Sequence, residues 1–573
     1  MRGARQQTPR RRSRGPAAAI AAAAVLLAGW LSSPQPAPAQ SLDDSLSPGR
    51  VEQRFQQPLE PLSLPELTVP KTEEPLPPKQ ADKIRFRLSG INVTGGTVYP
   101  ETALLDLYRD RLGQEVTLSD IYEIADAIAA KYRNDGYILT QVLVPPQRIS
   151  EGIVTLQVVE GYIDRIEIEG DVPEEGGLID TYARRILASR PLNAADLERA
   201  LLLMNDLPGI TAKAVMIPSF EVAGASDLVL QLQFARADGF ASIDNRGTRF
   251  IGPVQFQAAG GVNSLLGNYS RLEARGVVTQ QTHELRYGEV ALTSQIGSQG
   301  TKAVGRVTAN ATRPGDTLAP FDVRGQSRSL ALTLSHPWIR SRRENLTLKG
   351  NFTYRYSKTE ILGQQLNKDS IRVLRAGAAY DFADGWNGVN LVEVTLSQGL
   401  DCCGAREAGA AGLGRTNAKP DFTIGRVDAV RVQAIDSRFR VNLGASGQYA
   451  LAQLPSSEQF GYGGELYGRA FDPSAITGEH GVAAKAEAVF TPRIESDLLQ
   501  DYQIYGYADY GAVFRIDALG GPSQAQGASL GVGLRVRVAQ RVSGQLEMAQ
   551  PLLRNTARGD RNPRAFFRFG VQF

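Results

Sequence analysis

Gly463-Gly464 and the run Gly468-Arg469-Ala470-Phe471-Asp472 set one guanidinium in a glycine-rich stretch between two segments of alternating apolar and polar residues. Further on, Tyr507-Ala508-Asp509-Tyr510-Gly511 sets a carboxylate on another such segment. The chemistry open to this pair is recognition: a guanidinium can grip a carboxylate through two parallel hydrogen bonds, which fixes orientation as well as position. The residues therefore suggest a clasp, although two solvated charges among many would look the same in sequence. Catalysis is not signalled. His283, His336 and His480 are scattered and none stands at ligand spacing from a Cys, Asp or Glu cluster. No G-x-S-x-G elbow, P-loop or dinucleotide fingerprint occurs. Cys402 and Cys403 are adjacent, which disfavours a disulfide, and two sulfurs alone do not make a metal site. No catalytic residue, metal or cofactor is expected.

The elements that would position such a clasp come after a leader. Residues 2–14 carry six arginines and no acid, residues 17–31 are apolar, and Ala37-Pro38-Ala39 offers a small-residue cleavage site before Gln40. That order predicts a secretory signal peptide over 1–39. A membrane anchor fits less well, because the run is Ala-rich, short of the ~20 residues a span needs, and followed by proline. Arg10-Arg11-Arg12 is an incomplete twin-arginine motif. Without those six arginines the net charge of +3 becomes −3, so the basic isoelectric point is no argument for a nucleic-acid partner, and none is expected. No helix-length apolar run follows residue 31, which excludes a helical membrane protein.

Residues 40–57 hold a weak amphipathic pattern in Leu42, Leu46, Val51 and Phe55. Pro58, Pro61, Pro65, Pro70, Pro75, Pro77 and Pro78 then mark 58–82 as an extended linker. Over 83–161 the periodicities predict a strand with Ile84, Phe86 and Leu88, a helix opened by Pro100, a second helix with Ile121, Ile124, Ala125, Ile128 and Tyr132, and strands near 137–144 and 153–159. The order repeats over 162–238, with helices near 178–188 and 194–206 and Asn193 as the N-cap of the second. The result is a tandem β-α-α-β-β repeat.

From Gly239 to Phe573 the helical period vanishes. Leu346, Leu348, Phe352, Tyr354 and Tyr356 share one parity, Thr347, Lys349, Asn351, Thr353 and Arg355 the other. Leu330, Leu332 and Leu334 alternate with polar or small residues in the same way, as do Val532, Leu534, Val536 and Val538. Several runs exceed the ~5–6 residues of a soluble strand and approach the ~9–11 of a tilted membrane strand. A charge facing lipid at midplane costs about 2–4 kcal/mol, so Lys349, Arg355, Arg535 and Arg537 must face a wet lumen. Tyr502 and Tyr510 fit two aromatic girdles, and the apolar parity closes on Phe567, Phe569, Val571 and Phe573. At about 20 residues per strand and turn, this region allows around 16 antiparallel strands of an outer-membrane β-barrel. Asp509 falls on the parity opposite Tyr502 and Tyr510 and is expected to point inward.

The chain resembles the two-partner secretion transporters (TpsB) of the haemolysin-activator type. The resemblance covers essentially the whole mature chain. It rests on the Pro-rich linker, the two α/β units, which look like POTRA domains, Asp244-Asn245-Arg246-Gly247 where the barrel begins, Ser457-Glu458-Gln459-Phe460 ahead of the Gly-rich loop, and the terminal Phe573. It implies a 16-stranded transmembrane β-barrel in the bacterial outer membrane, preceded by two periplasmic POTRA domains. These would receive a large, unfolded partner exoprotein by its N-terminal secretion domain, through edge-strand addition and an apolar groove. Further implied partners are outer-membrane lipid and the outer-membrane assembly machinery, which would read Phe569 and Phe573. Residues 40–57 resemble the family's plug helix, threaded through the resting pore, with Leu42, Leu46, Val51 and Phe55 on its apolar side.

In this family a long extracellular loop folds into the lumen, and the Arg at its V-R-G-F/Y tip meets the Asp of an F/G-x-D-x-G barrel motif. Carried over, the clasp is Arg469 and Phe471 on the loop with Asp509 and Gly511 on the wall. The flanking Gly468 and Ala470 depart from the pattern, as does Tyr507. In a wet lumen such a pair is expected to contribute only the ~0–1 kcal/mol of an exposed ion pair, so that it locates the loop without locking it. Among competing readings, an assembly insertase of the same superfamily typically carries more POTRA units and no plug. A passive porin has no periplasmic α/β repeats, and a barrel-anchored enzyme or adhesin needs a further folded domain.

Overall fold

A computed structural model of the chain describes residues 47–55, 59, 61, 81–173, 177–219, 222, 224–415, 417–493, 499–516, 523–539, 541–553 and 561–573. The expected signal peptide, Leu42 and Leu46, and nearly all of the linker lie outside the described residues.

The first α/β unit is built on the helix Leu118–Asn134. Thr117 and Asp120 form a reciprocal capping box at its start, and Ile121, Ile124, Ala125, Ile128, Ala129 and Tyr132 make one buried stripe. That stripe covers a three-stranded sheet in which Ile153–Val159 lies between Gly90–Thr94, parallel, and Gln141–Leu143, antiparallel. Two expectations are corrected here. The segment with Ile84, Phe86 and Leu88 contributes only Arg85–Arg87, paired outside that sheet with Glu115–Thr117, while the sheet strand is Gly90–Thr94. The helix after Pro100 is a single turn, Glu101–Leu105, so Tyr108 and Leu112 pack from the turns beyond it.

Glu160 closes this unit. Its carboxylate accepts from the backbone N–H of Thr97 and Val98, at 2.7 and 2.9 Å, and from the Tyr132 hydroxyl at 3.0 Å. Burial pushes the carboxyl up, but these donors outweigh it and hold it below the ordinary glutamate range.

The second unit repeats the plan with helices Leu178–Ala188 and Ala194–Asn205, the latter capped by the Asn193 side chain at 2.9 Å from the Ala195 N–H. Its sheet places Ala225–Phe234 between Tyr162–Glu169 and Ile210–Pro218. This unit sits directly on one end of the barrel. Asp206 takes a bidentate grip from Arg340, at 2.8 and 2.9 Å, and Arg185 donates to Ser298. The Tyr269 hydroxyl reaches the Pro173 carbonyl at 2.9 Å.

From Ala237 the chain forms a closed antiparallel barrel of 16 strands, running from Ala237–Asp244 to Arg564–Gln572, with lengths from 8 to 20 residues. The alternation read from sequence is the wall. Leu330, Leu332, Leu334, Val532, Phe569 and Phe573 are exposed on the outside, whereas Thr353, Arg355 and Asp509 are buried on the inside. His336-Pro337-Trp338 ends the strand Arg324–Arg340 at a register shift between Pro337 and Ile339, with Trp338 outward.

The seam between first and last strands pairs only Asp244–Phe240 with Arg568–Gln572. Asn245 extends it through its side chain, accepting from the Phe567 N–H at 2.8 Å and donating to the Ala565 carbonyl at 2.9 Å. Two segments stand inside the cylinder: residues 48–55 and residues 451–479.

Candidate functional site in the barrel lumen

Residues 451–479 join the strands Phe439–Ala450 and His480–Phe490, and turn into the lumen. A small hairpin, Phe460–Tyr462 against Ile476–Gly478, stiffens the inward limb. The tip then reverses through Gly463, Gly464 and Gly468, which adopt φ of 123°, 102° and 79°. At Gly468 the left-handed backbone and the Tyr462 ring leave no room for a side chain. Ala470 has no such requirement, which is why alanine is accepted there. Its carbonyl takes a hydrogen bond from Arg564 at 3.1 Å.

The four residues expected to form the clasp lie together, but not wired as expected. The Arg469 guanidinium donates to Glu487 at 2.7 Å and lies 3.5 Å from Glu547, resting 4.1 Å from the Tyr507 ring centroid. Among the described residues it forms no ion pair with Asp509. Asp509 instead binds the loop by its backbone and its tyrosine: it accepts from the Arg469 N–H at 3.2 Å and the Tyr462 hydroxyl at 2.7 Å, with Ser529 at 2.7 Å. The physical reason is height on the wall. Asp509 lies opposite Lys485 on the neighbouring strand, whereas Glu487 lies two residues further along, opposite Tyr507, and it is at that level that the Arg469 guanidinium is held.

Gly511 acts by absence of a side chain. A Cβ there would come within 2.2 Å of the Tyr462 ring, and one at Gly527 within 2.4 Å, so two wall glycines form the slot that holds Tyr462. Phe471 packs against the other side of that tyrosine, with ring centroids 5.7 Å apart.

The setting is not wet. Arg469 is 7% exposed and Asp509 4%, which corrects the expectation of a solvated, weak pair. Glu547 collects four donors: Arg469, Arg246 at 2.9 Å, and the hydroxyls of Tyr505 and Tyr507 at 2.8 and 3.0 Å. Glu487 is shared with Arg535 at 2.9 and 3.0 Å. The loop tip also ties to the last strand, through Asp472 with Arg564 at 2.8 Å and Glu465 with Arg568 at 2.6 Å. In a buried net of this kind removing one partner strands the other, which typically costs about 3–5 kcal/mol.

Sequence reasoning missed Tyr462, Glu487, Ser529 and Glu547. Their signal was parity: Glu547 stands between the outward Leu546 and Met548, and Glu487 between the small outward-facing Ala486 and Ala488.

The second luminal segment is a 3₁₀ helix, Pro48–Phe55. The wider helix expected over 40–57 is represented among the described residues by this stretch alone. Val51 is fully buried against Phe250, Ile251, Val277, Leu285 and Tyr287, and the Phe55 ring lies 4.8 Å from that of Tyr287. Polar contacts do the rest. Arg50, 1% exposed, donates to the carbonyls of Ser456 and Gln459 at 2.5 and 3.1 Å, and to the Ser474 hydroxyl at 3.1 Å. Glu52 pairs with Arg355 at 2.9 Å, and Arg355 and Arg375 both reach Glu458. The Ser457-Glu458-Gln459-Phe460 stretch is thus where the loop meets the N-terminal segment.

Comparison with known proteins follows this geometry. Residues 86–161 match the family model of a POTRA domain of ShlB type, and residues 224–535 match that of the haemolysin secretion/activation protein ShlB/FhaC/HecB. The heme/hemopexin transporter protein HuxB of Haemophilus influenzae strain 86-028NP is 25% identical over 80% of this chain and 82% of its own. The outer membrane transporter CdiB of Escherichia coli O6:K15:H31 is 24% identical over 69% and 67%. The solved CdiB structure from Escherichia coli superposes with a TM-score of 0.70 at 20% identity, covering 90% of this chain and 94% of that one. With a family model spanning more than half its length, two POTRA-type units and a closed 16-stranded barrel, the chain belongs to the ShlB/FhaC/HecB family of two-partner secretion transporters, which export a partner exoprotein across the outer membrane.

Proposed function

We propose that this transporter receives its exoprotein unfolded, by an N-terminal secretion domain, and passes it through the lumen by releasing residues 48–55 while the loop tip stays seated. The observation that carries this reading is that both luminal segments occupy one conduit and are joined there, directly by Arg50 and through Arg355, which bridges Glu52 and Glu458. An extended chain needs that space, so one segment must leave. The segment 48–55 is followed in sequence by the Pro-rich linker expected over 58–82.

The edge strands Gly90–Thr94 and Tyr162–Glu169 offer unpaired backbone to an incoming extended chain, which supports strand addition as the receiving step. Folding of the cargo outside the cell supplies the direction, and the role is transport rather than catalysis. The lipid-facing wall and the last strand, with Phe569 and Phe573 outward, suit contact with lipid and with the assembly machinery during insertion.

The test is secretion of the cognate exoprotein from cells carrying Arg469→Ala or Asp509→Ala, with barrel folding followed by heat-modifiable electrophoretic mobility. Export should fall at least about tenfold, as expected for loss of one buried charged contact, while the folded barrel persists. Wild-type export by both variants would remove the seated loop tip from the mechanism.

A further inference from the structure

The sixth to eighth barrel strands, Arg324–Arg340, Glu344–Ile361 and Gln364–Ala383, are the longest, at 17, 18 and 20 residues. Their free ends lie opposite the POTRA-type units, on the cell-surface side. On the outer face, Leu334, Leu332 and Leu330 are 51, 53 and 40% exposed and form part of the lipid-facing band. One pleat further the same face turns basic, with Arg328.

Strand register brings more cations to that height. Arg328 lies opposite Tyr356, and Lys358 lies opposite Lys368. Directly opposed residues have Cβ atoms about 4.5–5.5 Å apart and diagonal neighbours about 7–8 Å, so Arg328, Lys358 and Lys368 share one small area. Two like charges facing each other across a ladder are destabilising. One acid, Glu360, pairs with Lys358. Lys368 sits 5.4 Å from the Tyr356 ring centroid, which shields its charge without cancelling it. Arg372, on the same face, is covered, stacked 4.8 Å from the Tyr354 ring centroid. The patch therefore keeps a positive excess directly above an apolar one.

We infer that this face is a binding site for a phosphorylated lipid of the outer leaflet, whose phosphate lies among Arg328, Lys358 and Lys368 and whose acyl chains lie along Leu330, Leu332 and Leu334. Charge complementarity selects the headgroup: a phosphate offers several acceptor oxygens to converging cations, and Arg328 supplies the planar donor fork that matches them. The adjoining leucines select a lipid over a free anion. The opposed lysines, unfavourable on their own, become favourable once an anion lies between them.

The experiment titrates the detergent-solubilised full chain with bis-phosphorylated lipid A, with a neutral glycolipid of the same acyl composition, and with inorganic phosphate, reading bound copies by native mass spectrometry. The phosphorylated lipid should be retained in preference to the neutral one, and millimolar inorganic phosphate should fail to displace it. Arg328→Gln with Lys358→Gln and Lys368→Gln should weaken retention by about tenfold or more, the scale of one charge-assisted hydrogen bond. Lys368→Gln alone gives a signature that misfolding cannot mimic: a higher melting temperature in lipid-free detergent, because repulsion is relieved, together with weaker lipid retention. Equal retention by wild type and variants, equal retention of the neutral lipid, or full displacement by inorganic phosphate overturns the site.

Discussion

The two luminal segments are held by different means. Residues 451–479 are continuous with the wall at both ends, and their tip is fixed by buried ion pairs to Glu487, Glu547 and Arg564, by a more exposed pair to Arg568, and by a tyrosine seated in a glycine slot. Residues 48–55 bury Val51 and part of Phe55, and are held by polar contacts that include Arg50 and Glu52. The loop tip shares its wall acids with wall donors, Glu487 with Arg535 and Glu547 with Arg246, so tip and wall form one net. The plug meets Arg355 of the wall, which still pairs with Glu458 of the loop when the plug leaves. One insertion belongs to the architecture, the other to a resting state.

The sharpest way to break this contrast is to fill the slot. Gly511→Val places branched carbon where the Tyr462 ring lies, so the tip must unseat. Overpacking of this kind costs about 1–3 kcal/mol. Exoprotein export should be lost, and the tip should become cleavable by added protease; a variant that exports normally with a protected tip would show that the slot is idle.

A smaller effect separates the plug. Arg50→Ala with Glu52→Gln removes its main polar grip but leaves Arg355 with Glu458. Single-channel recordings of the purified protein should show a larger open fraction, while export and thermal stability change little. Recordings identical to wild type would place the holding force elsewhere.

The smallest effect lies outside the membrane, in the first POTRA-type unit. The Glu160 carboxyl is held below its ordinary value of about 4.5, so its stabilisation is present above that pH and disappears as pH falls through the depressed value. Being partly solvated, it should contribute only about 1 kcal/mol. Amide exchange at Thr97 and Val98, compared between wild type and Glu160→Gln at equal pH, should differ at pH 7 and converge near pH 3. A difference independent of pH would assign the effect to packing.

Much of this was legible in the sequence, and for a definite reason. A period of two carries the inside–outside assignment of each strand, so the barrel, the inward Asp509 and the outward Phe569 could be read without coordinates. What a period cannot carry is height around a closed wall. Arg469 meets Glu487 and Glu547, on strands before and after the one that bears Asp509, and only the stagger of the ladder decides which acid lies level with the tip. Short elements hid for another reason. Gly90–Thr94 buries little more than Ile91 and reads as a loop, and the 3₁₀ turn of Pro48–Phe55 has too few apolar positions to announce its pitch.

The seam gains a further meaning from the loop tip. Its backbone pairing is brief, yet the last strand sends Arg564 and Arg568 to Asp472 and Glu465, and Arg246, just past the first strand, reaches Glu547 in the same net. The cylinder therefore closes around its own contents: the tip serves as a mandrel on which the final strand is laid. Sealing the wall and seating the loop thus draw on the same side chains of the last strand.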